Sequence, residues 1–300
     1  MNCLIINNPV SGHSKKPEEI REITEKLKTK YDVVDVCSTT ETLNAEEISQ
    51  KNSDIYDLFV VLGGDGTFNE TLRGVAGKEK RPTIGYIPCG TVNDFARSNG
   101  IPFNYKEAVE VILDGKIVSK SAMFINGIPS AYLVGAGIFT CVSYTANQNL
   151  KRKIGKLAYY LDILFRDKGR HGEQLEITLD DNETHKSLYS FVAGLNNSYV
   201  GGLHLSHLSF DNDDSFYAVL AKRKKGVFNL IISLFSMLRA YIKKVENVED
   251  TKHIVVRRVN KMSVKSLSNT VWNIDGEKGP EGNAEITYKK DQFEIILKKD

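Results

Sequence analysis

A glycine-rich segment directly after an apolar run is the part of this sequence best suited to phosphate chemistry. Residues 58–62 predict a buried strand, and Gly63, Gly64 and Gly66 then surround Asp65. Glycine lets the backbone approach a ligand closely, and N–H groups at a following helix N-terminus can hold phosphate. Asp65 suits such a loop only if a cation or a sugar hydroxyl separates it from the anion. An ordinary tight turn is the alternative, and this segment alone leaves both open.

Two further apolar runs also end in small and polar residues. Residues 3–7 lead into Asn8, Ser11 and Gly12, and residues 82–88 lead into a segment that contains Thr91, Asn93 and Asp94. In an open parallel sheet, the carboxyl ends of the strands line one crevice where ligands bind. The sequence contains no Walker-type loop, and Asn69 stands where a dinucleotide fingerprint has its third glycine. The sequence therefore argues against a Walker-type NTPase.

The order of predicted elements indicates an α/β protein whose N-terminal α/β domain has a Rossmann-like parallel sheet, followed by a C-terminal β-sandwich domain. Strand and helix patterns alternate over 1–122, which favours a parallel sheet. The predicted strands cover 3–7, 31–37, 58–62 and 84–87, and the predicted helices cover 17–30, 45–51, 67–76, 92–98 and 105–114. Short strands with turn signals then fill 123–290 and predict a β-sandwich, interrupted by helices near 150–166 and 227–244.

The bulk composition is that of an ordinary cytoplasmic protein. The chain has 300 residues, a net charge of +2 and four cysteines without a Cys-x-x-Cys pair. A reducing compartment is the natural reading, and the charge does not indicate a nucleic-acid binder. No apolar run reaches the ~18 residues that span a bilayer, and the N-terminus runs into a strand rather than a signal peptide.

Taken together, these motifs resemble the diacylglycerol kinase catalytic family, specifically its soluble bacterial lipid kinases. Sphingosine and ceramide kinases are relatives, and NAD kinases and phosphofructokinases are distant ones. An ordered set of motifs is far more specific than a single loop. The segments that carry the resemblance are 8–12, 63–67, 88–97, 135–137, 155–160, 213–214 and 275–277.

The resemblance implies an ATP-dependent kinase that uses Mg²⁺ and phosphorylates a lipid hydroxyl, with diacylglycerol as the first candidate. It also implies that the strand at 291–300 returns to the first domain. Phosphoryl transfer asks a protein mainly for positioning and charge neutralisation, and Asp65 would act through Mg²⁺, which favours oxygen ligands. For the small polar residues, turn and helix-cap chemistry is the alternative. The implied nucleotide-binding residues are Asn8, Ser11, Gly12, Thr40, Gly63, Gly64, Asp65, Gly66, Thr67, Asn69, Glu70, Thr91, Asn93 and Asp94.

The resemblance also assigns a general base and a structural metal site. Glu277 would take the proton of the acceptor hydroxyl, and its alternative is a surface hairpin, since Asp-Gly is a common turn pair. Asp211, Asp214 and the carbonyl of Phe216 would hold a structural Mg²⁺, and a solvated acidic turn is the alternative there. Ser215 replaces the glycine that the family usually has at this turn.

Other departures concern charge. His13 stands where the family commonly has Lys or Arg, with Lys15 and Lys16 nearby, and His carries less charge at neutral pH. Ser121 replaces an acid, and Asp162 matches a basic position, so we expect this protein to lack a domain-locking or substrate-side ion pair of the family.

A basic run beside an apolar segment suggests where the protein meets its lipid. Residues 222–225 are basic and precede the apolar segment 226–238, which predicts peripheral binding to the inner face of a membrane. The alternative is that one face of this helix packs on the β-domain as core. The expected partners are ATP and a membrane lipid, with a homodimer as a further possibility. Another lipid acceptor, a soluble hydroxyl substrate or a non-catalytic nucleotide- or lipid-binding role stay open.

Overall fold

The first half of the chain builds a parallel sheet from strands that are apolar on both faces. In the computed structural model, which describes residues 1–137, 172–205, 208, 210, 214–223, 254–267 and 269–299, strands β1 and β3 are almost wholly buried. Burial on both faces is typical of parallel strands covered by helices. The elements of this half are β1 (Asn2–Asn7), α1 (Pro17–Leu27), β2 (Val33–Ser38), α2 (Ala45–Asn52), β3 (Leu58–Gly63), α3 (Asp65–Val75), β4 (Thr83–Pro88), α4 (Asp94–Ser98) and α5 (Tyr105–Asp114).

The second half consists of strands as far as it is described. Its strands are β5 (Lys116–Ile125), β6 (Ile128–Ser130), β7 (Leu133–Gly137), β8 (Glu173–Leu179), β9 (Glu183–Leu195), β10 (Tyr199–Val200), β11 (Leu203–His204), β12 (Phe216–Lys222), β13 (Ile254–Val259), β14 (Lys261–Ser266), β15 (Val271–Ile274), β16 (Glu277–Glu281) and β17 (Ala284–Leu297). The helices predicted near 150–166 and 227–244 lie outside the described residues.

Helices cover both faces of the parallel sheet. The strands run in the order β2-β1-β3-β4, and all of these pairings are parallel. Helices α2 and α3 pack on one face together with Phe59 and Tyr86. Helices α1 and α5 cover the other face around Ile5 and Val60. The predicted α/β class with a parallel N-terminal sheet is therefore confirmed.

Two long strands connect the halves. Strand β17 pairs in parallel with β4 through Ile295 and Ile84, and its earlier part pairs with β14. It also runs antiparallel to β5 over most of its length. The domain boundary predicted at residue 122 falls inside β5, so the backbone hydrogen bonds of one sheet continue from one half into the other.

A second core lies among β7, β8, β9, β12, β14 and β15.

Some predicted element boundaries were wrong, and each has a local cause. Helix α3 begins at Asp65 rather than residue 67, because Gly64 is already its extended N-cap. Helix α4 begins at Asp94 rather than residue 92, because Asn93 adopts a left-handed conformation (φ 53°) that cannot continue a helix. Helix α1 ends at Leu27, three residues before the predicted end, with Lys28 as its C-cap. Among the described residues, no helix has the length and apolar character needed to cross a membrane.

An aromatic cluster fixes β17 against α3 and α4. The ring of Phe68 stacks on Phe95 with centroids 4.1 Å apart, and Phe293 of β17 lies 6.2 Å from each of these two rings. Phe293 is 1% exposed. Aromatic pairs at such distances add to the free energy gained from burying their surface.

Replacing Phe293 with Ala should remove this packing and leave a cavity beside α3. We expect the free energy of unfolding to fall by about 3–5 kcal/mol, measured by urea denaturation. Val33→Ala is the control, because Val33 lies on the edge strand and is 42% exposed. Equal losses in both variants would contradict the role of this cluster.

Candidate active site

The loops after β3 and β4 approach each other so closely that only glycine fits at their contact. A Cβ atom on Gly90 would lie 2.7 Å from the Cα of Gly64, and a Cβ atom on Gly64 would lie 3.1 Å from the Cα of Gly90. The parallel register aligns Gly63 with Pro88, so both loops leave the same edge of the sheet. Gly64, which was predicted to approach a ligand, therefore also approaches the neighbouring loop at Gly90.

The loop after β1 joins them through hydrogen bonds. The Nδ2 of Asn8 donates to the Oγ1 of Thr67 at 2.8 Å, and the carbonyl of Asn8 accepts hydrogen bonds from the N–H and the hydroxyl of Ser11. A Cβ atom on Gly12 would lie 2.7 Å from the Oγ1 of Thr91. The three predicted loops thus meet at one edge of the sheet.

The N-terminus of α3 opens at this meeting point. The first N–H groups of a helix have no partner inside the helix, and the helix dipole favours an anion there. Because α3 begins at Asp65, the N–H groups of Asp65, Gly66 and Thr67 are those of its first turn. The arrangement suits a phosphate group, as the sequence predicted for this loop.

Asp65 itself turns toward the neighbouring loop. Its Oδ2 accepts a hydrogen bond from the N–H of Asp94 at 3.0 Å, and its Oδ1 accepts one from the N–H of Phe95 at 3.2 Å. The carboxylate therefore caps α4 and ties the two glycine loops together. Burial, followed by the nearby charge of Asp94, raises the pKa of Asp65 to about 6. Its predicted contact with Mg²⁺ stays a prediction.

Asn93 and Asp94 also hold the site together. The side chain of Asn93 accepts from the N–H of Gly90 at 2.9 Å and donates to its carbonyl at 2.8 Å. The Oδ1 of Asp94 accepts a hydrogen bond from the N–H of Gly202 at 2.8 Å, and its carbonyl accepts one from Asn197. Asp94 thereby connects the nucleotide loops to the turn between β10 and β11. Direct contacts of either residue with a nucleotide stay predictions.

Thr40 and Glu70 lie farther out on the same edge. Thr40 is exposed two residues after β2, and its N–H donates to the carbonyl of Leu43. The Oε2 of Glu70 accepts a hydrogen bond from the N–H of Ala45 at 3.0 Å, at the start of α2. Burial raises the pKa of Glu70. The described contact of Glu70 therefore caps the start of α2, and its predicted contact with a nucleotide stays a prediction.

Asn69 is a buried polar side chain with unsatisfied hydrogen-bonding groups. It is 1% exposed, and neither its Oδ1 nor its Nδ2 has a hydrogen-bond partner among the described residues. Buried polar groups are nearly always hydrogen-bonded. An unsatisfied amide on α3, one turn from Gly66, fits its predicted role as a donor to a polar ligand.

Glu277 reaches this site from the second half of the chain. Asp275 and Gly276 form the turn between β15 and β16, both with positive φ, which is typical of a tight hairpin. Glu277 begins β16, and its Oε1 lies 3.3 Å from the position of a Cβ atom on Gly66. The hairpin that was weighed as the alternative is present, and it carries Glu277 to the loop that contains Gly66. The two interpretations of this segment are therefore compatible.

A buried carboxylate anchors this hairpin. Asp275 is 4% exposed. Its carboxylate accepts hydrogen bonds from the N–H groups of Ala131, Tyr132 and Leu133 and from the hydroxyl of Ser130. Burial raises its pKa to about 6, although those hydrogen bonds favour the charged form. The sequence singled out Asp275 only as a turn residue.

Arg73 is the site residue that the sequence analysis missed. Its Nη1 donates to the Oε2 of Glu277 at 2.8 Å. Arg73 lies seven residues after Gly66, which is two turns along the same face of α3. That spacing was a usable signal, but only with knowledge that Glu277 packs over this helix.

The predicted structural metal site is only partly described. Asp211 lies outside the described residues. Asp214 forms an ion pair with Lys290, whose hydrogen bond and charge lower the pKa of Asp214, and Phe216 is buried in β12. Within the described part of the chain, no group of three or more potential metal-ligating side chains occurs. The metal site stays a prediction, and a cationic side chain already pairs with one of its carboxylates.

Comparisons of the sequence with known proteins point to one family. A family model described as the diacylglycerol kinase catalytic domain matches residues 2–125. A diacylglycerol kinase from Staphylococcus aureus is 32% identical over 283 residues, which cover 92% of this chain and 85% of the relative.

Solved structures share the fold. A diacylglycerol kinase from Bacillus anthracis has a TM-score of 0.74 at 22% identity, with 99% of this chain and 96% of that chain covered. An NAD kinase from Archaeoglobus fulgidus, solved in complex with ATP, has a TM-score of 0.54 at 12% identity, with 100% and 94% covered.

The raised pKa of Asp65 predicts how its contribution to stability changes with pH. The folded pKa of about 6 lies above the usual aspartate value of 3.8, so between these two pH values the folded protein holds a proton that the unfolded chain releases. The stabilisation of the folded protein by protonated Asp65 is complete below pH 3.8 and is lost as the pH rises through 6. The free energy of unfolding of the wild type exceeds or falls short of that of Asp65→Asn by an amount that depends on pH. This difference, wild type minus variant, should therefore be larger at pH 4.5 than at pH 7.5, by on the order of 2 kcal/mol.

Urea denaturation at the two pH values measures this difference. Asp54→Asn serves as the control for the loss of one negative charge, since Asp54 is exposed. A difference between wild type and Asp65→Asn that is the same at both pH values would contradict the raised pKa.

Proposed function

The chain belongs to the diacylglycerol kinase family, and from that premise we propose that it transfers the γ-phosphoryl group of ATP to the hydroxyl of diacylglycerol, forming phosphatidic acid. The observation that carries the proposal is the approach of Glu277 to Gly66 across the two halves of the chain. It brings a carboxylate to the loop best suited to hold the transferred phosphate. Such an arrangement is what a phosphoryl-transfer site requires.

ATP would be held by the edge of the parallel sheet. The N–H groups at the start of α3 are suited to its phosphates, and the close-packed glycines leave their backbone open to a large anion. The unsatisfied amide of Asn69 supports a further polar contact. The other predicted nucleotide contacts, from Asn8 and Ser11 to Thr91 and Asp94, belong to the same proposal.

Mg²⁺ fits this site as a companion of ATP. It usually keeps several waters and binds through one or two carboxylates plus substrate phosphates, so it does not need the larger ligand set that the described residues lack. Asp65 is the carboxylate assigned to it from the sequence. When bound, the ion neutralises charge that develops on the phosphoryl oxygens.

Glu277 would act as the general base. As the acceptor oxygen forms its bond to the γ-phosphorus, the bond from that phosphorus to the β,γ-bridging oxygen breaks, and ADP leaves. The proton of the acceptor hydroxyl moves to the carboxylate of Glu277. The anchored turn at Asp275 supports this role, because it fixes the backbone from which Glu277 extends.

The lipid acceptor distinguishes this proposal from its alternatives. The name of the Staphylococcus aureus relative favours diacylglycerol, whereas a sphingoid or prenol acceptor, a soluble hydroxyl or a non-catalytic role has no comparable support. Peripheral membrane binding through 222–238 stays a prediction, because residues 224–253 lie outside the described part of the chain.

Replacing Glu277 with Gln should leave ATP binding intact and slow phosphoryl transfer by roughly 10²–10⁴-fold, the usual contribution of a general base. Transfer is measured with labelled ATP and Mg²⁺ on vesicles that contain diacylglycerol, and ATP binding by calorimetry. Sphingosine, a prenol and NAD are tested as acceptors in parallel.

Glu281→Gln is the matched control, since Glu281 lies on the same strand and its described side-chain contacts are with Lys278 and Asn269. Unchanged transfer by Glu277→Gln would reject the assigned base. No transfer to any acceptor by the wild type would reject the kinase proposal itself.

A further inference from the structure

Arg73 lies on the surface of α3 over which the β15–β16 hairpin packs. Gly66, Glu70 and Arg73 follow one another at spacings of four and three residues, so they share a helix face. Glu277 meets both ends of this face, with Oε1 beside Gly66 and Oε2 on the Nη1 of Arg73. One carboxylate therefore spans from the phosphate loop to the arginine.

This ion pair differs from the exposed pairs on the surface. The side chain of Arg73 is 14% exposed and that of Glu277 is 39% exposed, whereas the pair between Lys106 and Glu22 has 63% and 47%. Exposed pairs contribute little, but a largely buried arginine is costly unless a partner compensates its charge.

The charge of Arg73 is maintained in this setting. Burial acts to lower its pKa, but the charge and hydrogen bond of Glu277, together with the nearby charges of Asp275 and Glu46, outweigh burial, so the pKa is raised. The Nε is buried and finds no acceptor among the described residues. The guanidinium thus remains a permanent cation whose described hydrogen bond goes to Glu277.

Such a contact restricts the orientation of a flexible side chain. A glutamate has several rotatable bonds, and ordering such a side chain costs conformational entropy. With Oε2 held by Arg73, the carboxylate has fewer available orientations, and Oε1 lies beside Gly66. Positioning of this kind matters for catalysis, because a displacement of about 1 Å can reduce the rate by about 10²-fold.

We propose that Arg73 is a positioning residue for phosphoryl transfer, which holds Glu277 through Oε2 so that Oε1 receives the proton of the acceptor hydroxyl. The inference rests on the proposed function, in which Glu277 is the base. Arg73 keeps its own proton throughout, and its charge offsets that of the carboxylate before transfer. Its effect is exerted through Glu277 and not through the nucleotide.

A double-mutant cycle tests this inference with the full-length protein. Arg73→Gln should lower kcat by roughly 10- to 100-fold, with little change in the KM for ATP. In the Glu277→Gln background the same substitution should cause no further loss, because residues that act as one unit are not additive. Arg73→Lys should recover part of the lost rate, since it restores the charge but not the planar fork.

Arg81→Gln is the matched control for the loss of an arginine. The Nη1 of Arg81 donates to the carbonyl of Gln292 at 2.9 Å, and no described contact joins it to Glu277. We expect kcat to stay at the wild-type level. Thermal denaturation of every variant accompanies the kinetics, and if Arg73→Gln does not fold, Arg73→Lys carries the same cycle.

The outcomes separate the inference from the proposed function. If Glu277→Gln transfers phosphate as fast as wild type, the assigned base is wrong. If Glu277→Gln is slow but the fold-losses in kcat of the two single variants multiply in the double variant, the assignment of Glu277 as the base is kept. The positioning role of Arg73 is then overturned. An unchanged kcat in Arg73→Gln overturns it as well, and so does an increased kcat, which would mean that Arg73 restrains Glu277.

Discussion

The site depends on the contact between the backbones of Gly64 and Gly90. Two strands of a parallel sheet end side by side, and their loops approach within a distance that no side chain would allow. The carboxylate of Asp65 then holds the loops together, because it accepts hydrogen bonds from the first N–H groups of α4. Without this contact, the α3 N-terminus and the Thr91 loop would not face a common space, and a phosphate group would meet only one of them.

A second buried carboxylate that accepts backbone hydrogen bonds lies at the opposite side of the site. Asp275 is also a buried carboxylate that binds backbone N–H groups, here those of residues 131–133, and it fixes the hairpin that carries Glu277. Both carboxylates have a pKa raised to about 6. Burying a carboxylate is unfavourable unless hydrogen bonds compensate it. Burial of these two carboxylates therefore lowers stability, and their hydrogen bonds connect the Gly63–Gly66 loop and the β15–β16 hairpin to neighbouring backbone.

The sequence predicted the features that depend on neighbouring residues and missed the contacts between residues far apart in the chain. The strand ends at Asn8, Gly63 and Gly90 could be recognised because an apolar run and the glycines that follow it are neighbours in the chain. The α/β class followed from the same alternation. The helix starts at Asp65 and Asp94 were misplaced, because each depends on the backbone conformation of one preceding residue. The pair between Arg73 and Glu277 joins residues 204 positions apart, and no local pattern reports such a contact. The role of Asp275 was hidden for the same reason, since its partners lie more than 140 positions away, where β6 connects to β7.

The pairing of β17 with β4 affects the order in which the molecule can assemble. The hydrogen bond between Thr83 and Glu294 joins residues 211 positions apart, and Phe293 completes the aromatic cluster beneath the phosphate loop. A ribosome therefore finishes the nucleotide-binding half long before the strand that completes its core emerges. Contacts of such long sequence separation slow folding, and an incomplete sheet exposes apolar surface and an open strand edge. Until β17 is made, the N-terminal half therefore leaves the edge of β4 and the rings of Phe68 and Phe95 without the cover that β17 supplies.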